Sequence, residues 1–298
     1  MKLSILMAAY NEERTVAEVA GAVLATEYPC LIELIIVDDG SSDRTPELLA
    51  GLTDPRVTVL RHRVNRGKSA ALTTAMDAAT GTHMLPFDAD LEYDPADIAA
   101  LIEPVLRGRC EVVYGTRLFG ANTVYQSFGY ALGNKVLTLV ANVLFDASIS
   151  DLHTCLKLIP LPLVRSIRLG ASGFGMDTEL TARLLRLGVR PFEVPVSYHS
   201  RSRAEGKKIS WRDGVHCLRI LAGVRFSARP RPVAETALPA TVTSISATPT
   251  RHVAAMNRPQ GTGLGRTSAK AAGLNGSAVI AVGETAAANS SALSLGEG

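Results

Sequence analysis

The chain has little cysteine: Cys30, Cys110, Cys155 and Cys217 are its four in 298 residues. No two form a CxxC pair or a metal-ligand spacing. That argues against a disulfide scaffold and a zinc finger, and points to a reducing compartment. No stretch of 18 consecutive apolar residues occurs, so no membrane-spanning helix is expected. The first apolar run ends at Tyr10, Asn11 and Glu12, too short for a signal peptide and without a cleavage site. Two nucleotide signatures are also missing. Asn65-Arg66-Gly67-Lys68-Ser69 resembles the end of a phosphate loop, but the position that would need glycine is His62. No GxGxxG follows a strand, so a P-loop ATPase and a Rossmann dehydrogenase both lose ground.

What remains is an ordinary globular composition, 47% hydrophobic and 20% charged, with a net charge of +3. The charge is unevenly spread. Residues 229–298 carry six basic and three acidic side chains, and residues 1–228 are balanced. Inside the balanced part, residues 201–225 hold seven basic side chains against Glu205 and Asp213. An acidic body with a local basic strip suits a phosphate group or an anionic membrane surface. A long nucleic acid would want a basic face, so no nucleic-acid partner is expected.

Residues 229–298 contain no Phe, Trp or Tyr and are rich in Ala, Ser, Thr, Gly and Pro. Such a segment cannot bury enough apolar surface to offset ordering, and it reads as a disordered tail behind a 1–228 domain. Within 1–228, strands and helices alternate. Strands are expected at 2–9, 31–37, 57–60, 82–87 and 112–115, with helices at 13–26, 43–52, 68–79 and 95–107. Four β-α units and a further strand argue for an α/β fold with a largely parallel sheet and helices on both faces. Further on, 191–198 reads as a strand. Residues 125–145 place Phe128, Leu132, Val136, Leu139 and Val143 on one helical face. Residues 211–226 do the same with Trp211, Val215, Leu218 and Ala222. Both faces read first as core. A basic amphipathic helix beginning at a tryptophan is also the form of an interfacial anchor.

Ligands on open α/β sheets bind at the carboxyl ends of the strands. Three polar clusters sit there: Tyr10-Asn11-Glu12, Asp38-Asp39-Gly40 and Asp88-Ala89-Asp90. Two carboxylates two residues apart after an apolar strand can share one hard cation, Mg²⁺ or Mn²⁺, with substrate phosphates completing the shell. Asp39 is the candidate ligand contact of the second cluster, and Asp43 a structural cap. Gly67-Lys68 opens a helix and can help bind a nucleotide. Arg117 ends a strand, where its guanidinium can fork onto a phosphate. Arg201, Lys207 and Lys208 lie in a polar loop able to close over a substrate. His153 and His199 are read as structural.

In this order the motifs resemble the inverting family 2 glycosyltransferases of GT-A fold, and within them the dolichyl- or polyprenyl-phosphate sugar synthases. The carriers are Ala9-Tyr10-Asn11-Glu12, the 37–43 run Val-Asp-Asp-Gly-Ser-Ser-Asp, Asn65-Arg66-Gly67-Lys68, Asp88-Ala89-Asp90, Gly115-Thr116-Arg117, the 151–157 run Asp-Leu-His-Thr-Cys-Leu-Lys, and Glu205-Gly206-Lys207-Lys208. The resemblance implies nucleotide-sugar contacts from Ala8, Tyr10, Glu12, Val37 and Asp39, and from Lys68, Asp88, Ala89 and Asp90. It implies a metal on Asp88 and Asp90, catalytic roles for Asp90 and Arg117, and phosphate or acceptor contacts from Arg117, Arg201 and Lys207. Ala8 stands where the family has proline, and Glu92 where it has glutamine.

The implied activity moves a hexose, with inversion, from a GDP-mannose or UDP-glucose type donor to a polyprenyl phosphate. The implied setting is the cytoplasmic face of a membrane, held peripherally. Two alternatives stay open. Asp177, in Asp177-Thr178-Glu179, would serve as general base for a hydroxyl acceptor, or the domain would be a catalytically silent nucleotide-sugar module.

Overall fold

Alternation along the central strands assigns side chains to two cores. In the first strand Leu3, Ile5, Met7 and Ala9 point to one face and Leu6 to the other. In the second, Leu34 and Ile36 take the first face and Ile35 and Val37 the second. A period of two with apolar residues at both phases is what a sheet covered on both sides requires.

The computed structural model describes residues 1–117, 123–124, 127–167, 169–170, 175–200 and 211–227. In chain order these form β1 (Lys2–Ala9), α1 (Val16–Ala25), β2 (Leu31–Asp38), α2 (Thr45–Ala50), β3 (Val57–Arg61), α3 (Lys68–Ala78), β4 (His83–Pro86), α4 (Asp97–Leu106), β5 (Val113–Thr116) and β6 (Thr123–Val124). Then follow α5 (Phe128–Phe145), β7 (Lys157–Pro160), α6 (Leu161–Ser166), α7 (Gly175–Arg186), β8 (Phe192–Pro195), β9 (Tyr198–His199) and α8 (Trp211–Phe226). All belong to the first of two units, Met1–Thr243. The second unit, Ser244–Gly298, and the expected boundary at 228 lie outside the described residues.

Seven strands make one sheet in the order β3-β2-β1-β4-β7-β5-β8, and β6 pairs with β9 apart from it. β1 to β4 are parallel, as expected. β5 does not join β4 directly, because β7 lies antiparallel between them. The sequence reading has no strand there, since β7 is four residues long and ends in proline. The sheet grows from β1 to β2 on one side and to β4 on the other. That reversal opens a crevice at the carboxyl ends of β1 and β4.

α1 buries Val16, Val19, Ala20 and Val23, the spacing its sequence predicts. α5 and α8 differ from expectation. α5 buries Leu137, Thr138, Ala141 and Phe145 against α7 and α8, and the face expected in the core is the exposed one. α8 buries Cys217, Leu221 and Val224, one position out of phase with the expected stripe. α5 is also 18 residues long with Lys135 its single charge, long and apolar enough to cross a membrane by those measures alone. The expectation that no helix qualifies is corrected to that extent: its rule required an unbroken apolar run, which Asn134, Lys135 and Asn142 interrupt.

Candidate active site

The crevice is built from strand ends. Ala8 and Val37 are register partners in β1 and β2, so Tyr10 and Asp39 leave the sheet side by side. Val37 and Ala89 are buried, and Tyr10 is 43% exposed at the rim. Glu12 lies in the turn that leads into α1: its carbonyl accepts from Thr15 N and Val16 N, and its amide donates to Thr45 Oγ1 at 2.9 Å. Asn11 after β1 and Leu91 after Asp90 have φ of 56° and 62°. Left-handed backbone at non-glycine residues costs energy, and here it marks both walls of the crevice.

Asp39 is 2% exposed. Its carboxylate accepts from His62 Nδ1 at 2.6 Å, Arg66 N at 3.0 Å and Gly67 N at 2.6 Å. These bonds pin the 65–67 loop across the crevice, where Gly67 takes φ 89° immediately before α3. Gly40 is required for the same closure, because a Cβ there would stand 2.6 Å from the Val64 carbonyl carbon. Asp43 is not the cap of α2 that the sequence predicts: the N-cap is Arg44, and Asp43 one residue before it accepts from Thr45 N and Glu13 N, closing an Asx-type turn that ties α2 to the turn after β1.

The pinned loop delivers Lys68. Its ammonium lies 2.5 Å from Asp88 Oδ1, and its side chain is 36% exposed. Burial works against that charge, but Asp88, with Asp177 beyond it, outweighs burial and raises the pKa well above the ordinary lysine value. Cys155 hydrogen-bonds to Asp88 from beneath. Burial, reinforced by Asp88, pushes its thiol well up, so it stays protonated. Asp90 is half-buried, and its Oδ1 accepts from Glu92 N at 3.2 Å. Among the described residues no third His, Cys, Asp or Glu joins a ligand cluster. Two carboxylates two residues apart, Asp88 already beside the Lys68 ammonium and Asp90 half-buried at the crevice, suit a divalent metal that shares its shell with a diphosphate. The residues fit the implied Mg²⁺ or Mn²⁺.

Arg117 directly follows β5 and pairs with a carboxylate. Nε and Nη2 fork onto Asp151 at 2.7 and 2.8 Å, and the guanidinium stacks 4.8 Å from the Tyr198 ring centroid. Asp151 is fully buried. Burial would raise its pKa, but Arg117 outweighs burial and holds it at about 2. The expected phosphate fork is thus turned onto a carboxylate. Asn134 of α5 donates to Asp151 Oδ1 at 2.7 Å and accepts at 3.0 Å from His153 Nδ1, whose ring burial and Lys157 keep neutral with a pKa of about 4. His153 is structural, as expected. Glu92 accepts from Tyr198 Oη at 2.7 Å. Arg201 and Lys207 lie outside the described residues.

Residue type alone does not reveal one member of the site. Lys157 is fully buried, and its ammonium bonds Asp177 Oδ1 at 3.0 Å and the Leu152 carbonyl at 3.1 Å. Burial would raise the Asp177 pKa, but Lys157 and then Lys68 outweigh it and lower it. The signal in the sequence is a lysine inside the apolar run Cys155-Leu156-Lys157-Leu158-Ile159. A buried charge needs a partner, and Asp177 in the first turn of α7 supplies it. Glu179 turns elsewhere, to Gly170 N and Arg183.

A mostly parallel sheet flanked by helices, with a carboxylate pair at its switch point, defines a GT-A type transferase domain. The chain belongs to glycosyl transferase family 2, whose family model matches residues 4–158. It is 24% identical over 245 residues to the dodecaprenyl-phosphate galacturonate synthase of Rhizobium johnstonii, covering 77% of this chain and 69% of that one. It is 27% identical over 211 residues to the dolichol-phosphate mannosyltransferase of Pyrococcus furiosus, covering 70% and 59%. It is 26% identical to a low-salt glycan biosynthesis hexosyltransferase of Haloferax volcanii, covering 76% of this chain and 55% of that one. In fold it is similar to glucosyl-3-phosphoglycerate synthase from Mycobacterium tuberculosis, solved with Mn²⁺, UDP and phosphoglyceric acid. The TM-score is 0.58 at 20% identity, over 76% of this chain and 79% of that one.

Proposed function

We propose that the protein transfers a hexose from a nucleoside diphosphate sugar to a polyprenyl phosphate, inverting the anomeric carbon. The observation that carries the acceptor class is the state of Asp177. It is the carboxylate that a hydroxyl acceptor would call on as base, yet it is bound to Lys157 and its pKa is lowered. A weakened base serves a sugar hydroxyl poorly. A phosphate acceptor is already an anion and needs no base. Relatives named for dodecaprenyl- and dolichol-phosphate transfer support the same acceptor.

In this reading Ala8, Tyr10, Glu12, Val37 and Asp39 bound the nucleoside side of the crevice. Asp88 and Asp90 would hold the divalent cation, which supplies charge neutralisation for the leaving diphosphate. Lys68 gives up Asp88 for a phosphate oxygen of the donor. The acceptor oxygen forms its bond to the anomeric carbon as the bond to the diphosphate breaks, and no proton changes hands. Arg117 acts chiefly by positioning, clamping the 115–117 strand end to the 151–157 loop. Arg201 and Lys207 are assigned to donor and acceptor phosphates, and the protein to a membrane surface. Incubation with metal, polyprenyl phosphate and a panel of radiolabelled nucleotide sugars tests the reading. Label from one donor should enter the organic phase. Label on a water-soluble hydroxyl acceptor alone would overturn it in favour of Asp177 as base.

A further inference from the structure

His62 breaks the phosphate-loop pattern in the sequence, and the fold gives it a different use. It follows the edge strand β3 and is buried. Its amide donates to the Asp38 carbonyl at 2.8 Å, which fixes its backbone against the end of β2. Both ring nitrogens are engaged. Nδ1 lies 2.6 Å from Asp39 Oδ1, and Nε2 lies 2.9 Å from Thr74 Oγ1 in α3. An ionised carboxylate only accepts, so Nδ1 carries the hydrogen. The Thr74 hydroxyl can donate to Nε2 or accept from it, so the bridge closes in either protonation state of the ring.

The ring therefore ties the end of β2 to the middle of α3, and the loop that delivers Lys68 runs between those two anchors. Asp39 holds this loop through Arg66 N at 3.0 Å and Gly67 N at 2.6 Å, and Gly67 is the residue before Lys68. Oδ1 is shared by His62 and Arg66 N, so the imidazole sets where that oxygen stands when it receives the loop. A buried carboxylate that loses one donor turns toward whatever donors remain. Thr74 lies about 9 Å along the helix axis from Lys68, so the start of α3 is held both at the loop and from within the helix.

We infer that His62 is a positioning residue for the phosphate-binding lysine: it holds the Asp39 carboxylate, and with it the 65–67 loop, so that the Lys68 ammonium meets Asp88. The inference rests on the proposed function at one point, that Lys68 passes from Asp88 to a donor phosphate. Loss of the bridge frees Lys68 from Asp88 and leaves its ammonium out of place for the phosphate. The two consequences have opposite signs. Asp88 opens to a metal ion, which then binds more tightly, while a nucleoside diphosphate binds more weakly. A change that only loosened the fold would weaken both.

The test is Mn²⁺ binding to the full chain without nucleotide, read by electron paramagnetic resonance, together with binding of UDP and of GDP at saturating Mn²⁺, read by calorimetry. His62→Leu should bind Mn²⁺ at least about threefold more tightly and the nucleotide about tenfold more weakly, the scale of a lost hydrogen bond to a charged group. His62→Asn, which offers an amide N–H in the place of Nδ1, should return both toward wild type. In a Lys68→Met background His62→Leu should add nothing to Mn²⁺ affinity, because the lysine it displaces is gone. Thr74→Val keeps the Asp39 bond and should tighten Mn²⁺ binding by less, and it decides the matter if His62→Leu does not fold. Unchanged or weaker Mn²⁺ binding in the folded variant overturns the inference, as does tightening that survives in the Lys68→Met background. If the wild type binds Mn²⁺ but neither UDP nor GDP, the nucleotide-sugar reading fails and the Mn²⁺ cycle alone decides the role of His62.

Discussion

Asp90 shows how a single residue separates chemistry from folding. It stands half-buried at the crevice, after the core residues of β4, and the proposed function gives its charge to a ligand rather than to the sheet. Asp90→Asn should lower transfer by roughly 100-fold or more, the scale of a lost metal ligand worth several kcal/mol. The thermal midpoint should hold, and full activity in excess chelator would contradict the role. Asp151 is the opposite case. Its pKa is about 2 in the folded chain against about 3.9 unfolded, so it is depressed by folding. The stabilisation, about 2 kcal/mol, is complete above pH 4 and is lost as pH falls from 4 through 2. Urea unfolding of wild type and Asp151→Asn should therefore differ at pH 7 and converge near pH 2. Persistent separation at pH 2 would assign the difference to packing instead.

At the scale of elements, the start of α3 and the start of α7 each present one charged group to the crevice. Lys68 is where a metal would neutralise Asp88, so ammonium and metal compete. Lys68→Met should tighten Mn²⁺ binding in the absence of nucleotide, read by electron paramagnetic resonance, and raise KM for the donor. Unchanged Mn²⁺ affinity would mean that Lys68 leaves Asp88 at no cost. For α7, Asp177→Asn should cost transfer to polyprenyl phosphate at most about tenfold, against the 10²–10⁴ expected for a general base. A loss in the latter range with intact folding would move the acceptor to a hydroxyl. The helices also teach something about phase. α1, packed on a sheet, buries the face its sequence predicts. α5 carries apolar residues on two faces, and its inner one is chosen by Asn134, Thr138 and Asn142, whose hydrogen bonds need the 149–153 loop. Periodicity reports a stripe; it does not report which stripe meets the domain.

For the molecule as a whole, the composition change near residue 229 sets the prediction. Truncation after Ala228 should leave transfer and thermal midpoint nearly unchanged, because a segment without aromatics contributes little burial. A drop of several degrees would place part of 229–298 in the domain.

The sequence by itself determined the alternation of β1 to β4 with their helices, the carboxylates at strand ends, and the family that those motifs spell. These are local features: period, strand length and the residue types that turns and metals require act within a few positions of one another. Tertiary structure alone decided the rest. β7 inserts antiparallel between β4 and β5, Arg117 meets Asp151 across 34 residues, Lys157 meets Asp177 across 20, and Lys68 meets Asp88. Each of these partners is fixed by which strand ends and helix starts the sheet brings together, and a buried charge takes its role from whatever lies opposite it.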